Sequence, residues 1–308
     1  MVSSEILIAI PEVGKHLTGE PLKGVVKFNL DKNTVYKSIT LTLVEKVCSK
    51  YIFDTKSFAD YRTVQIKACD INQYQTHKVE KIYFLNDNTN EDIVLTSGSY
   101  EYPFEMIIPE NTPPSVRITH KKNTVGGIRY FLILKFNKPE LFKVSDYLIT
   151  KLTIYPKIES TLTEKPLVAS FGKTLTKLFT SKKHEIEVKA ELDKEYLTPY
   201  CERKITFIVN NNSDVILTIK TELICQTSTN VRLGKPLHKT VVLTTVETPS
   251  IPDNSISNMY NIIPVGQLYT VRHSKAISRE YMIRVTMKLP PPHSNVSMDI
   301  PVFAGIRP

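Results

Sequence analysis

No stretch of the 308 residues approaches the ~20 consecutive apolar residues that a membrane-spanning helix needs. The N-terminus, MVSSEILIAIPEVGK, has no basic stretch ahead of its apolar run, and that run, Ile6 to Ile10, is too short for the core of a signal peptide. Cysteine is scarce. Cys48, Cys69, Cys201 and Cys225 form no CxxC pair, and none has a histidine nearby at metal-ligand spacing. Reduced thiols in the cytosol are therefore expected. Asn211 and Asn295 sit in N-x-S sequons, which carry no meaning without secretion.

Catalytic signatures are missing as well. The seven histidines, His16, His77, His120, His184, His238, His273 and His293, supply no HExxH pair. There is no G-x-S-x-G elbow, no GxxxxGK[ST] loop and no GxGxxG turn. Gly126–Gly127, the one double glycine, has no strand-to-helix context. It reads as a turn that, with Pro113–Pro114, bounds a loop between strands. Asp253 and Asp299 read as turn formers. The segment RYFLILKF, residues 129–136, lacks the glycines and spaced aromatics of an RNA-binding strand and reads as core. The basic residues are dispersed rather than gathered into a stripe, so no nucleic-acid partner is expected. No catalytic residue, metal ligand or cofactor follows from any of this.

What is present is an ordinary globular composition, 41% hydrophobic and 23% charged, enough for packed cores. The length predicts two domains. Residues 1–155 hold 20 Lys+Arg against 17 Asp+Glu (+3), and residues 156–308 hold 20 against 14 (+6), which together make the net charge of +9. Such an excess attracts anionic partners such as acidic lipid or phosphorylated tails; it equally describes a solubilising lysine surface.

Short β-rich runs recur along the chain: Ile6–Ile10, Gly24–Leu30, Ser38–Val44, Tyr130–Phe136, Leu148–Ile154, His184–Leu192, Lys204–Val209, Val215–Ile224, Thr240–Thr245 and Tyr281–Lys288. Several alternate. Ile205, Phe207 and Val209 face one way, and Ile39, Leu41 and Leu43 oppose Thr40 and Thr42. Period-2 alternation predicts strands with one buried face. Clusters such as PEVGK, LDKNT, NNNSD and TPSIPDNS punctuate them as turns, the pattern of β-sandwiches. One stretch departs. Val168, Phe171, Leu175, Leu178 and Phe179 follow helical spacing beside Lys173, Lys177, Lys182 and Lys183. This is either a basic amphipathic helix for an anionic membrane or, because Thr174, Thr176 and Thr180 favour extended structure, a strand or linker. Pro156 and Pro166 bracket a polar stretch that suits a linker, giving domains at 1–155 and 167–308 joined by 156–166. HLTGEPLKGVVKFNL and EYLTPYCERKITFIV are weak echoes of each other, one in each half.

Five blocks in order resemble the arrestin superfamily, most of all the α-arrestins (arrestin domain-containing proteins). They are TGEPLKGVVKFNLDKNTVYKSITLTLVEK (18–46), LTSGSYEYPFEMIIPENTPPSV (95–116), GGIRYFLILKF (126–136), EIEVKAELDKEYLTPYCERKITFIVNNNSDVILTIKTELICQ (185–226) and YMIRVTMKLPPPHSNVSMDIPVFAGIRP (281–308). The resemblance implies an all-β arrestin fold of two tandem immunoglobulin-like β-sandwich domains. It assigns a structural role to the matching Gly19, Gly24, Gly98, Tyr102, Pro103, Phe104, Pro109, Pro114, Ser115, Gly127, Tyr130, Tyr196, Pro199, Asn210, Ser213, Pro301, Gly305 and Pro308. Pro103 suits a sheet edge and Phe104 a core position.

As function, the resemblance implies a non-catalytic adaptor. It would bind cytosolic tails of membrane proteins, link them to trafficking, endocytosis or ubiquitination machinery, and lie in the cytoplasm or peripherally at the plasma membrane or endosomes. The alternatives are a soluble signalling scaffold of the same family or a retromer-type arrestin-fold subunit. Lys173, Lys177, Lys182, Lys183, Arg272, Lys275 and Arg279 are candidate contacts to anionic lipid or phosphate. Three departures qualify the match. The strand Ser4–Ile10 carries only Glu5, without the paired basic residues that sense receptor phosphates in visual and β-type arrestins. The proline pairs read PPSV and PPHS, so no PPxY is present for ubiquitin ligases. Cys201 stands where the family's P-G-E turn has glycine.

Overall fold

The computed structural model describes residues 3–12, 14–50, 72–85, 92–120, 123–139, 145–159, 162, 165–176, 183–229 and 237–308. Among them there is no helix; the elements are strands throughout. The chain divides into two compact units. The first comprises Met1–Tyr155 with Thr229–Leu237 and Val271–Ile277, and the second comprises Pro156–Ser228, His238–Thr270 and Ser278–Pro308.

The first unit contains β1 (Ser3–Ile8), β2 (His16–Leu17), β3 (Pro21–Leu30), β4 (Thr34–Tyr36), β5 (Ser38–Lys50), β6 (Asn72–Leu85), β7 (Ile93–Leu95), β8 (Gly98–Ile107), β9 (Val116–His120), β10 (Asn123–Asn137), β11 (Asp146–Leu152) and β12 (Ile154–Tyr155). One sheet runs β1-β3-β8. A second runs β11-β10-β5-β6, with β9 also on β10, and the short strands pair as β4-β7 and β12-β2. The inward rows of both sheets share one core: Leu22, Val26 and Phe28 from β3, Leu41 and Leu43 from β5, and Tyr130, Leu132, Leu134 and Phe136 from β10. Phe28 meets Phe136 edge-on at 5.0 Å between ring centroids and stacks on Tyr100 at 5.1 Å and Tyr102 at 5.9 Å. Such aromatic contacts add about 1 kcal/mol each beyond their buried area. Val271 and Ile277, distant in sequence, are fully buried in this same core.

The second unit contains β13 (Leu167–Thr176), β14 (Lys183–Leu192), β15 (Tyr196–Leu197), β16 (Glu202–Asn212), β17 (Thr218–Thr229), β18 (Leu237–Glu247), β19 (Ser255–Pro264), β20 (Ile277–Lys288) and β21 (Val296–Ala304). Its sheets are β13-β14-β16-β19 and β15-β21-β20-β17-β18. Ile186, Val188, Ile205, Phe207 and Val209 from one sheet are buried with Ile219, Leu223, Ile283, Val285 and Met287 from the other. Buried Asn261 on β19 donates to Thr221 Oγ1 on β17 at 2.9 Å, a polar tie between the two sheets. Buried Asn211 donates to the carbonyls of Val215 (2.9 Å) and Pro252 (2.7 Å) and accepts from Ser213 Oγ, which fixes the NNNSD turn.

Two details differ from the sequence reading, and one of its open alternatives is decided. Residues 167–176 take the extended alternative rather than the amphipathic helix; β13 pairs with β14 from Leu167↔Leu192 to Thr176↔Lys183, and its threonines suit that state. Leu178 and Phe179 lie outside the described residues. Gly126 and Gly127 stand inside β10 rather than at a loop boundary. A Cβ on Gly127 would come within 2.8 Å of the Val116 carbonyl oxygen on β9, so the hairpin needs glycine there. Thr40 and Thr42 are buried although they point away from the core (3% and 8% exposed). They are short residues on a strand flanked by β10 and β6, opposite Lys135 and Tyr83, and Ile133 and Lys81.

Gly24 is the tightest approach in the first unit. A Cβ there would lie 2.3 Å from the Leu7 carbonyl oxygen and 2.6 Å from Phe104 Cζ. Gly24→Ala is expected to lower unfolding stability by about 2 kcal/mol or more, because backbone on one side and a core ring on the other must both shift; denaturant titration measures it. Glu45 gives a pH-dependent counterpart. Burial holds its carboxyl above the ordinary value of 4.5, partly offset by the charge of His77 opposite it. The ionised form is thus disfavoured in the fold, and its cost appears as pH rises above 4.5. Glu45→Gln is expected to be more stable than the parent at neutral pH, with the difference vanishing in acid. A variant no more stable at neutral pH would contradict this.

Candidate protein-interaction surface

Among the described residues no group of three or more His, Cys, Asp or Glu comes together as a metal site. Displaced titration falls mainly on buried tyrosines. Burial pushes Tyr130 well above the ordinary phenol range, and the Glu45 charge adds to it. Burial likewise pushes Tyr281 up to about 12. Both hydroxyls hold loops: Tyr130 donates to the Pro113 carbonyl at 2.5 Å and Tyr281 to the Tyr269 carbonyl at 3.4 Å. These are structural phenols, and Cys48, Cys201 and Cys225 are free thiols.

The residues that the resemblance singles out are placed as follows. Gly19 has φ +78° and Gly98 φ +150°, backbone that a side chain would strain. Gly24 and Gly127 admit close backbone, and a Cβ on Gly305 would meet Phe303 at 2.7 Å. Tyr102 and Phe104 lie on β8 with Pro103 between them, and β8 is a sheet edge, where a missing N–H is tolerated. The Pro109 carbonyl closes a turn with Thr112 N, Pro114 is buried, and Ser115 exchanges hydrogen bonds with Ile154 through its N–H (2.8 Å) and its hydroxyl (3.0 Å). Asn210 is exposed on β16, Ser213 is buried in the turn after it, Pro301 lies on β21 opposite Met282, and Pro308 is exposed.

Around Tyr196, which is 2% exposed, the chain builds a second buried polar knot. Arg203 donates through Nε to the Tyr196 carbonyl (3.2 Å) and through a terminal nitrogen to Thr198 Oγ1 (3.1 Å), with its guanidinium 5.7 Å from the Tyr196 ring centre. Arg307 donates to the Tyr196 hydroxyl at 2.6 Å. In the turn that follows Pro199, the left-handed conformation falls on Tyr200 (φ 62°) and not on Cys201, so a cysteine at 201 meets no positive-φ strain.

The predicted cationic contacts are dispersed. Lys173 on β13 donates to the carbonyl of Ser294 and to its hydroxyl at 2.9 Å, so its charge is committed to that loop. Lys183 is exposed at the start of β14, opposite Thr176. Arg272 and Lys275 are exposed in Val271–Ile277 of the first unit, whereas Arg279 is half-buried near the start of β20 in the second. Lys177 and Lys182 lie outside the described residues.

Sequence reasoning missed the exposed apolar rows on the outer sheet faces. In the first unit Tyr147 and Ile149 on β11 lie opposite Lys135 and Ile133 on β10. In the second, Ile256, Tyr260 and Ile262 on β19 flank Ile208 on β16, with Lys204 Nζ 4.7 Å from the Tyr260 ring centre. The signal available in the sequence was a β-prone run, SISNMYNIIP, without a single charge.

Residues 12–160 match the family model described as arrestin (or S-antigen), N-terminal domain. No curated protein matches the chain. Together with the all-β course of the chain and its two sandwiches, the match makes the architecture the arrestin fold.

Arg203→Ala is expected to lower stability by about 2–4 kcal/mol, because it removes buried packing and leaves the Tyr196 carbonyl without its donor. Chemical denaturation measures this, and a change within about 0.5 kcal/mol would show the knot to be dispensable.

Proposed function

We propose, taking residues 12–160 as an arrestin N-terminal domain and the second unit as an arrestin C-terminal-like domain, that the protein is an adaptor for the cytosolic tails of membrane proteins. Arrestin-family proteins are generally non-catalytic adaptors that bind membrane receptor tails. The observation that carries the reading is that family match on a scaffold of two sandwiches. Open sheet edges with apolar outer faces give such a scaffold the means to hold an extended tail, since main-chain hydrogen bonds at an edge supply affinity and alternate side chains supply selectivity. The adaptor would work in the cytoplasm and at the plasma membrane or endosomes, with trafficking or ubiquitination machinery as its further partners. The positive charge supports residence near anionic membrane, where each basic residue close to the surface contributes about 1 kcal/mol.

Affinity purification of the tagged protein from its own cells, read by mass spectrometry, tests this. Integral membrane proteins with cytosolic tails are expected to dominate, together with sorting components or ligases. Recovery of soluble signalling proteins alone would overturn the adaptor reading in favour of a soluble scaffold.

A further inference from the structure

Every sheet edge offers unpaired N–H and C=O groups to another strand, and folded chains ordinarily guard their edges with charge, proline or brevity. Most edges here are guarded in that way. β1 carries Glu5, β8 carries Glu101, Pro103 and Glu105, β6 carries Lys78, Glu80 and Lys81, and β11 carries Asp146 and Lys151. In the second unit β13 carries Lys173, β18 carries Lys239 and Glu247, and β15 is two residues long. β9 carries Arg117, and β2, β4, β7 and β12 are two or three residues long. Among the described residues the edge that remains is β19, ten residues with no Asp, Glu, Lys or Arg and with proline only at its last position. Among the described residues it pairs on one side only, with β16. Its outward row is apolar and open: Ile256, Tyr260 and Ile262 are 74%, 58% and 44% exposed.

The order of residues along β19 says what fits it. Reversed about Met259, the outward row repeats its own chemistry. Position 256 falls opposite 262, isoleucine against isoleucine, and position 258 opposite 260, asparagine against tyrosine. Antiparallel pairing related by a two-fold axis imposes this reversal, because each residue i meets a residue j whose own partner is i. Cross-strand isoleucine pairs are favourable, and no like charges meet. We propose that β19 is a homodimerisation edge: two copies pair their β19 strands antiparallel about Met259 and join two four-stranded sheets into one of eight, with Ile256 of each copy against Ile262 of the other. The proposal concerns the second unit alone and does not depend on the adaptor reading.

Sedimentation of the full-length chain at micromolar concentrations tests it with two double variants. Each changes only exposed outward residues, and circular dichroism and thermal unfolding report that each folds. The parent is expected to be a dimer. Ile256→Lys with Ile262→Lys sets lysine against lysine at both ends and is expected to sediment as a monomer. Ile256→Glu with Ile262→Lys sets glutamate against lysine in the stated register and is expected to restore the dimer. A parent that remains monomeric overturns the proposal, and so does a dimer that survives in the double-lysine variant. A dimer that the glutamate–lysine variant fails to restore overturns the register and the proposal with it. A monomeric parent whose co-purifying proteins are lost in the double-lysine variant assigns the edge to another chain, which also overturns it.

Discussion

The first unit depends on the pairing of β5 with β10. Every residue from Gly126 to Asn137 has its partner between Ser49 and Ser38, without a slip. In a strand pair a shift of one residue would send every inward side chain to the opposite face. Leu41, Leu43, Tyr130, Leu132 and Leu134 therefore reach the core together or not at all. The other sheet answers with β3, whose Phe28 fills the space between Phe136, Tyr100 and Tyr102. Glycine at position 24 lets β1 and Phe104 close on that strand. Local contacts accompany this register: Tyr130 ties Pro113, Ser115 ties Ile154, and Gly127 admits β9.

Much of this was legible in the chain. Alternation in KITFIVN and SITLTLVEK gave the inward rows of β16 and β5 directly, because a period of two has one physical meaning at a sheet surface. Other features depend on what lies nearby in space. Helical spacing over 168–179 competed with the extended preference of its threonines, and pairing with β14 decided for the strand. Gly126–Gly127 resembled a turn because glycine serves both turns and close strand approach, and only the position of β9 distinguishes them. In the sequence Thr40 and Thr42 read as the solvent-facing row because polarity suggests exposure, yet their longer neighbours on β10 and β6 bury them. The burial of Val271 and Ile277 in the first unit's core joins segments far apart in sequence, and no local pattern announces it.

The candidate surface was less legible than the fold for a related reason. Charge draws attention in a sequence, so the lysines and arginines of the second half became the predicted contacts. The structure commits Lys173 to Ser294 and divides Arg272, Lys275 and Arg279 between the two units. The more distinctive feature of the second unit is a strand where charge is missing. An uncharged edge is expensive in solution, and its persistence on β19 is physically coherent when another strand covers it.

The proposed adaptor role requires that cytosolic tails of membrane proteins, rather than lipid alone, hold this protein at membranes. Flotation with membranes from its own cells, before and after protease has shaved the cytosolic tails from intact vesicles, addresses that claim directly. An adaptor for such tails is expected to float with untreated vesicles and to stay behind when the tails are gone. Flotation that is indifferent to shaving, or none with untreated vesicles, would contradict it.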